Sequence, residues 1–486
     1  MLITHTDCRI ISPEGIMSRE HLERDVTIFS RMLALRGIPE DGRVILKAAN
    51  SYWFVVSLFS LCHLAVSVTV VDEQTVIDEV AQIYDEAGAC CILTDSDLEL
   101  PHALVILIQD LIQEEAVHPH WVGEPKPEAL DFNKWCERSD ALILYSSGTT
   151  GKPKGIVKAG SAFMENIRHS IHAMNYIPSD HMLPVVPFSH FYGISLIFSW
   201  WLTSCSLIIC NPKNLWSVIA SITKDRATVV DANPSAFYTL LRMLSRKPEQ
   251  LELIKQSPVR MWCVGGSPLT QDLEEKFNNI FGQPLLNGYG LSELGNVTLG
   301  TLECPKGCGK PLPGVDLKIL DSTGNHQVDG IVGEVWIRSA GCMEGYLNRP
   351  DLTQSVLQDG WFKTGDLGYL DNGMLYVIGR SGKTVNRMGY MVSPVYIEDR
   401  IGSLGYRSCV ITLEDEAKGT LLVAFIESES SQVLPVLRKE MNRVLPSYMF
   451  PDLLLPLDHF PLNRNGKVDR LEMERTALEK AASRKA

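Results

Sequence analysis

Residues 141–155 read Ala141-Leu-Ile-Leu-Tyr-Ser-Ser-Gly-Thr-Thr-Gly-Lys-Pro-Lys-Gly155. The opening Ala141–Tyr145 has the short apolar texture of a buried strand. The chain then changes character within one residue. Ser146, Ser147, Thr149 and Thr150 supply hydroxyl donors, and Lys152 and Lys154 supply positive charge. Gly148, Gly151 and Gly155 let backbone N–H groups approach a ligand closely. That combination suits a polyphosphate. It is not a Walker A loop, because the residue after Gly151-Lys152 is proline rather than Ser or Thr. A plain solvated Gly/Ser loop is the bland alternative, and the density of phosphate-compatible groups weighs against it.

On either side of this loop, residues 20–240 alternate helical patterns with short β-branched runs. Arg43–Leu46, Val66–Val71, Cys90–Leu93 and Thr228–Asp231 are examples. Such a rhythm predicts βαβ units around mostly parallel sheet. From about Gly309 the strands shorten and are separated by Gly, Asp and Asn turns, as in Val315–Leu320, Gly333–Arg338 and Leu375–Ile378. This predicts a small β-rich subdomain. Ser381-Gly-Lys383 then marks a boundary. The expected division is a large N-terminal domain over residues 1–379 and a small α/β C-terminal domain over 380–486. In the latter, strands are expected near Ser408–Leu413 and Thr420–Ile426, with helices over Val433–Val444 and Leu471–Lys485. A chain of 486 residues is too long for one core and calls for two or three folding units.

Composition mainly excludes. Hydrophobic residues make up 45% and charged residues 21%, as in an ordinary globular protein. A net charge of −13 argues against nucleic-acid or anionic-membrane partners, which attract basic surfaces. The 12 cysteines follow no framework spacing and read as reduced, mostly buried cytosolic thiols. Cys304 and Cys308 could form half of a metal site, but no second Cys/His pair with ligand spacing accompanies them. No signal peptide is expected from the first residues, nor a peroxisomal address from the last. Two apolar stretches, 51–71 and 188–210, approach spanning length, yet each divides into a helix-like half and a strand-like half. Tyr52–His63 and Ile194–Leu202 are the expected helices, and Val66–Val71 and Leu207–Cys210 the expected strands. No membrane span is therefore expected.

At the phosphate-compatible loop the sequence resembles the adenylate-forming superfamily of acyl- and aryl-CoA synthetases, nonribosomal peptide adenylation domains and beetle luciferases. Further matching motifs follow in family order over roughly residues 40–470. The resemblance implies that Ser146, Ser147, Gly148, Thr149, Thr150, Gly151 and Lys154 bind ATP phosphates. Gly265-Gly266-Ser267-Pro268 resembles the turn facing adenine and the acyl group. Asn287-Gly288-Tyr289-Gly290-Leu-Ser292-Glu293 resembles the Tyr-Gly-x-Thr-Glu motif. There Tyr289 would stack on adenine, Ser292 would contact the α-phosphate in place of threonine, and Glu293 would be the metal ligand for Mg²⁺. A hard cation wants such an oxygen ligand. Asp366, in Thr-Gly-Asp, would accept both ribose hydroxyls, and Arg380 would lie near the nucleotide. Lys467, in Gly-Lys-Val-Asp-Arg, matches the catalytic lysine, a cation that can bridge the carboxylate and the α-phosphate.

The acyl end is read in the same register. Pro187-Phe-Ser-His-Phe-Tyr-Gly193 resembles the aromatic segment beside the acyl pocket, with His190 at the catalytic position of the histidine in acyl- and aryl-acid members. Phe191, Tyr192, Ser195, Gly265, Gly288, Asn296 and Val297 would line the pocket. Amino-acid-activating relatives carry Asp where this chain has Phe191, so an aliphatic or simple aromatic acid is expected. Three residues depart from the pattern: Gly382 at the hinge, Asn386 shortly after it and Leu64 near the first strands. Glycine permits the φ/ψ change a hinge absorbs.

The resemblance implies an α/β fold with a mobile C-terminal domain. It implies ATP-dependent formation of an acyl-adenylate, then transfer to a thiol of CoA or of phosphopantetheine on a carrier protein acting in trans. ATP and Mg²⁺ are the implied cofactors, and the cytoplasm the implied compartment. An amide ligase, a noncatalytic nucleotide-binding relative and a luciferase-like oxygenase are the alternatives. Glu293, Asp366 and Lys467 together weigh against the noncatalytic one.

Overall fold

The computed structural model describes residues 8–117, 129–146, 154–321, 323–380, 385–387, 390–392, 394–415, 419–445, 449–463 and 467–485. It is an α/β protein with a large N-terminal and a smaller C-terminal domain. Among the described residues two sheets dominate the large domain. In the seven-stranded sheet Arg43–Lys47, Ser67–Val71 and Leu142–Ser146 lie parallel and side by side. Ser67–Val71, β-branched from Val68 on, is buried along its whole length, as suits a strand covered on both faces. The nine-stranded sheet places Leu285–Leu291, Met261–Val264, Val229–Ala232 and His181–Val185 in consecutive parallel register.

The two apolar stretches resolve as helix followed by strand. Ser51 accepts the Phe54 N–H at 3.0 Å and starts the helix Tyr52–His63. Ala65 turns with φ 58°, and Ser67–Val71 follows. The second stretch forms the helix Phe191–Thr203, Ser204 turning with φ 57°, and the strand Ser206–Ile208, two residues shorter at its end than the expected Leu207–Cys210. The two helices meet through rings: Phe59 lies 5.4 Å from Phe198 and 5.2 Å from Trp201. Among the described residues no helix is long and apolar enough to cross a membrane.

The β-rich subdomain is an antiparallel sheet of Val315–Leu320, Gly333–Ser339, Trp361–Asp371 and Met374–Arg380, with the short strand Leu357–Gln358. Arg380 ends its last strand, with its backbone opposite Asp366, so the large domain's sheet runs one residue past the expected boundary. The C-terminal domain has its own sheet, Ser408–Asp415, Gly419–Glu427 and Leu453–Leu457, with separate apolar cores on its two faces. The helix expected over Val433–Val444 is α-helical only to Glu440 and tightens into a 3₁₀ turn at Met441–Arg443. The domains touch through polar contacts: Gln271 N–H donates to Asp399 at 3.1 Å, Arg242 pairs with His459 at 3.0 Å, and the Arg407 guanidinium lies over the Tyr238 ring.

Candidate active site

Leu142–Ser146 and Lys154–Lys158 are antiparallel neighbours, with Ser146 opposite Lys154. They bracket the phosphate-compatible loop. Ser147, Gly148, Thr149, Thr150, Gly151 and Lys152 themselves lie outside the described residues, as does Gly382. Lys154 extends its ammonium over the Tyr346 ring at 5.4 Å.

Residues expected at the nucleotide come together from separate elements. Strand Leu285–Leu291 carries Asn287, Gly288, Tyr289 and Gly290. Gly290 is forced, since a Cβ there would stand 2.5 Å from the Gly295 carbonyl oxygen, whereas at Gly288 the close neighbour, at 2.8 Å, is the movable end of the Leu299 side chain. Tyr289 donates its hydroxyl to Asp366 Oδ2 at 2.6 Å, joining the adenine and ribose candidates. Asp366 is 6% exposed, and its backbone N–H is held by Thr364 Oγ1 at 3.0 Å. Asn287 donates to Cys308 Sγ at 3.4 Å, so that cysteine packs against this strand.

Ser292 and Glu293 sit in the turn between Leu285–Leu291 and Gly295–Leu299. Glu293 Oε1 accepts the Tyr346 hydroxyl at 2.8 Å. Below the turn lies Lys158, with 0% exposure and every ammonium N–H on a carbonyl oxygen: Gly341 at 2.6 Å, Ser292 at 3.2 Å and Glu293 at 3.3 Å. Burial lowers this ammonium to about 8.

Lys467 arrives from the other domain. Its Nζ donates to the carbonyl of Gly266, in the Gly265-Gly-Ser-Pro turn. Gly266 has φ +77°, which glycine adopts without strain. The lysine loop is closed on itself: Asn463 N–H donates to the Lys467 carbonyl at 2.7 Å, and Asn463 Oδ1 accepts the Lys467 N–H at 3.1 Å. Arg470 anchors the loop's far end, binding Glu398 with two bonds of 2.6 and 2.8 Å. That carboxylate raises the arginine above its ordinary value.

On the acyl side His190 stands at the N-terminus of the helix Phe191–Thr203, its Nε2 3.7 Å from Asp72. Ser189 donates to the same carboxylate at 2.9 Å. Phe191 packs edge-on against Phe163. Tyr192 donates to Asp231 at 2.9 Å, and its ring lies 3.4 Å from where a Cβ on Gly265 would stand. Ser195 turns back to the Tyr192 carbonyl at 2.7 Å. Asn296 is fixed by Asn166 and Ser170. Val297 is buried in the core of the β-rich subdomain, with Leu294 and Ile156.

Asp72, Lys158, Asp231 and Tyr346 also shape this site, although no sequence motif assigns any of them a functional role. Two of them carried a signal. A lysine ending the run Lys-Gly-Ile-Val-Lys158 and an acid inside Val-Val-Asp231-Ala are polar residues in buried-strand texture. Burial raises Asp231 to about 7.

Residues 7–347 match the AMP-binding enzyme family. The long-chain-fatty-acid–CoA ligase of Yersinia pestis is 29% identical over 68% of this chain, which spans 61% of that ligase's length. The 2-succinylbenzoate–CoA ligase of Enterococcus faecalis is 26% identical over 91% of this chain and 89% of its own. Among solved structures, ATP-bound MatB from Rhodopseudomonas palustris superposes with a TM-score of 0.85 at 21% identity, over 98% of this chain and 96% of that one. At that identity the likeness speaks to the fold.

Proposed function

The chain belongs to the AMP-binding enzyme family, and on that premise we propose that it is an AMP-forming acid–thiol ligase. One observation carries the reading: the ammonium of Lys467 reaches the Gly266 carbonyl, in the turn that also faces Tyr192, while Tyr289 and Asp366 stand hydrogen-bonded to each other. A cation, an aromatic ring and a buried carboxylate are what a nucleotide undergoing attack at its α-phosphate needs. Tyr289 takes the adenine, Asp366 the ribose hydroxyls and Ser292 the α-phosphate. Asn287, Ser267 and Arg380 border the nucleotide, and the loop 146–151 with Lys154 takes the remaining phosphates.

Magnesium fits this set. It is usually held by one or two carboxylates together with substrate phosphates, and Glu293 supplies a carboxylate oriented by Tyr346. When bound it offsets negative charge on the triphosphate. The residues of the chain do the rest by placement and electrostatics. A carboxylate oxygen of the acid attacks the α-phosphorus, and the bond to pyrophosphate breaks. Lys467 stabilises the oxygens shared between the two anions. In the second half-reaction a thiol sulfur attacks the acyl carbonyl, the C–O bond to the phosphate breaks, and AMP leaves with that oxygen. Gly382 is the proposed pivot for the C-terminal domain between the two steps, at the boundary near residue 380.

The proposed acid is aliphatic or simple aromatic, held between Phe191, Tyr192, Gly265, Gly288 and Asn296, with His190 at the entrance side. CoA is the proposed acceptor, with carrier-bound phosphopantetheine offering the same thiol chemistry. The cytoplasm is the proposed compartment, where the twelve free cysteines stay reduced. The test is incubation with ATP, magnesium, CoA and a panel of simple acids, with AMP and thioester measured together. Equal amounts of AMP and thioester with at least one acid are expected. ADP formation, or ATP consumption without thioester, would overturn the proposal.

A further inference from the structure

Lys158 has no part in the reaction as outlined above, yet its ammonium is fully buried. Desolvating an ammonium costs several kcal/mol unless excellent geometry repays it. Here the side chain is 0% exposed and ends the strand that leaves the phosphate loop. Its three N–H groups go to three carbonyl oxygens, those of Gly341, Ser292 and Glu293. An ammonium has three donors and no acceptor, so these bonds use its full capacity.

The partners are what matter. Two of the three are the backbones of the residues proposed to meet the α-phosphate and the metal. The third, Gly341, belongs to the segment whose next residues lead to Tyr346, and Met343 N–H donates to the same Glu293 carbonyl at 2.6 Å. Glu293 is therefore fixed twice from below, by Lys158 and Met343 on its carbonyl, and once from the side, by Tyr346 on its carboxylate. The ammonium also stands 5.3 Å from the Phe191 ring, on the wall of the acyl pocket. A purely structural strut would be served by a leucine or methionine beside the Phe191 ring. It would need no buried charge.

We infer that Lys158 is a positioning residue for the metal end of the site: it ties the strand leaving the phosphate loop to the Ser292–Glu293 backbone, so that the Glu293 carboxylate meets a metal–nucleotide complex without reorganising. This rests on the ligase reading for the roles of Ser292 and Glu293, but its test does not depend on turnover. Residues that orient a metal ligand typically change metal affinity about 10–100-fold when lost.

ATP binding to the full chain is measured by calorimetry in excess magnesium and again in EDTA, for the wild type, Lys158→Met and Lys158→Gln. The inference expects the dissociation constant of the Met variant to rise about tenfold or more with magnesium and to change less than twofold in EDTA. Lys158→Gln, which keeps two donors, should fall between. Affinities equal to wild type in both buffers, or an equal loss in both, would overturn it. Should Lys158→Met fail to accumulate as folded protein, the Gln variant decides the same comparison. A wild type that binds ATP more tightly with magnesium, yet forms AMP with no acid, would sink the ligase reading and leave the positioning role standing on the binding data.

Discussion

Asp231→Asn isolates the energetic cost of one buried carboxyl behind the proposed acyl pocket. Asp231 is 2% exposed and lies in the strand Val229–Ala232. Burial pushes its carboxyl up to about 7, although the Tyr192 hydroxyl and the Cys263 thiol beside it both favour the charged form. From an ordinary 3.8 to about 7, at about 1.4 kcal/mol per pH unit, the difference is on the order of 4 kcal/mol. The sign follows from proton uptake. Between those values the folded chain holds a proton that the unfolded chain has released. The contribution of this carboxyl to stability is therefore greatest below pH 4 and declines as pH rises to about 7. About 3 kcal/mol of the decline falls between pH 5 and 8. Asparagine has the same shape, still accepts from Tyr192, and does not titrate. Thermal unfolding of both proteins at pH 5 and pH 8 is the assay. The melting temperature of the variant relative to wild type should climb by several degrees from the lower to the higher pH. A difference that stays constant across that range would show that Asp231 titrates as an ordinary carboxylate, and the argument from burial would be wrong.

Other perturbations address the reaction. Lys467→Ala should lower acid-dependent pyrophosphate exchange by about 10²–10³, while presynthesised acyl-adenylate and thiol still give thioester near the wild-type rate; equal losses in both assays would mean that Lys467 stays in place throughout. Gly382→Pro, which fixes φ near about −65°, should slow overall thioester formation and spare one half-reaction, and wild-type turnover would move the pivot elsewhere. An acid with a free α-amino group should be a poor substrate, because an ammonium buried against Phe191 without a partner costs several kcal/mol; efficient exchange with a proteinogenic amino acid, and with no simple acid, would reverse that assignment.

The fold was legible where burial alone dictates texture. The unbroken run Val66–Val71 could only be a strand covered on both faces, and Tyr52–His63 formed between the expected residues. The proposed nucleotide motifs are each a short local string, which sequence alone can display. Tyr289 and Asp366 meet across the sheets, 77 residues apart, where strings from separate elements converge. What sequence could not supply was facing and partnership. Asn296 and Val297 are neighbours in the chain, yet only the strand's pairing fixes which one turns towards helix Gly160–Met174. In sequence Lys158 is one more lysine shortly after Lys152 and Lys154. Its meaning lies in three carbonyls 134, 135 and 183 residues away, and no local pattern encodes such distances.

The central claim is that the acid is activated as its adenylate, and the route of one oxygen atom tests it. A substrate acid labelled with ¹⁸O in its carboxylate is incubated with the protein, ATP, magnesium and CoA, and the AMP is examined by mass spectrometry. If carboxylate oxygen attacks the α-phosphorus and thiolysis then breaks the acyl C–O bond, each AMP released carries one ¹⁸O. Thioester accumulating beside unlabelled AMP would contradict the account.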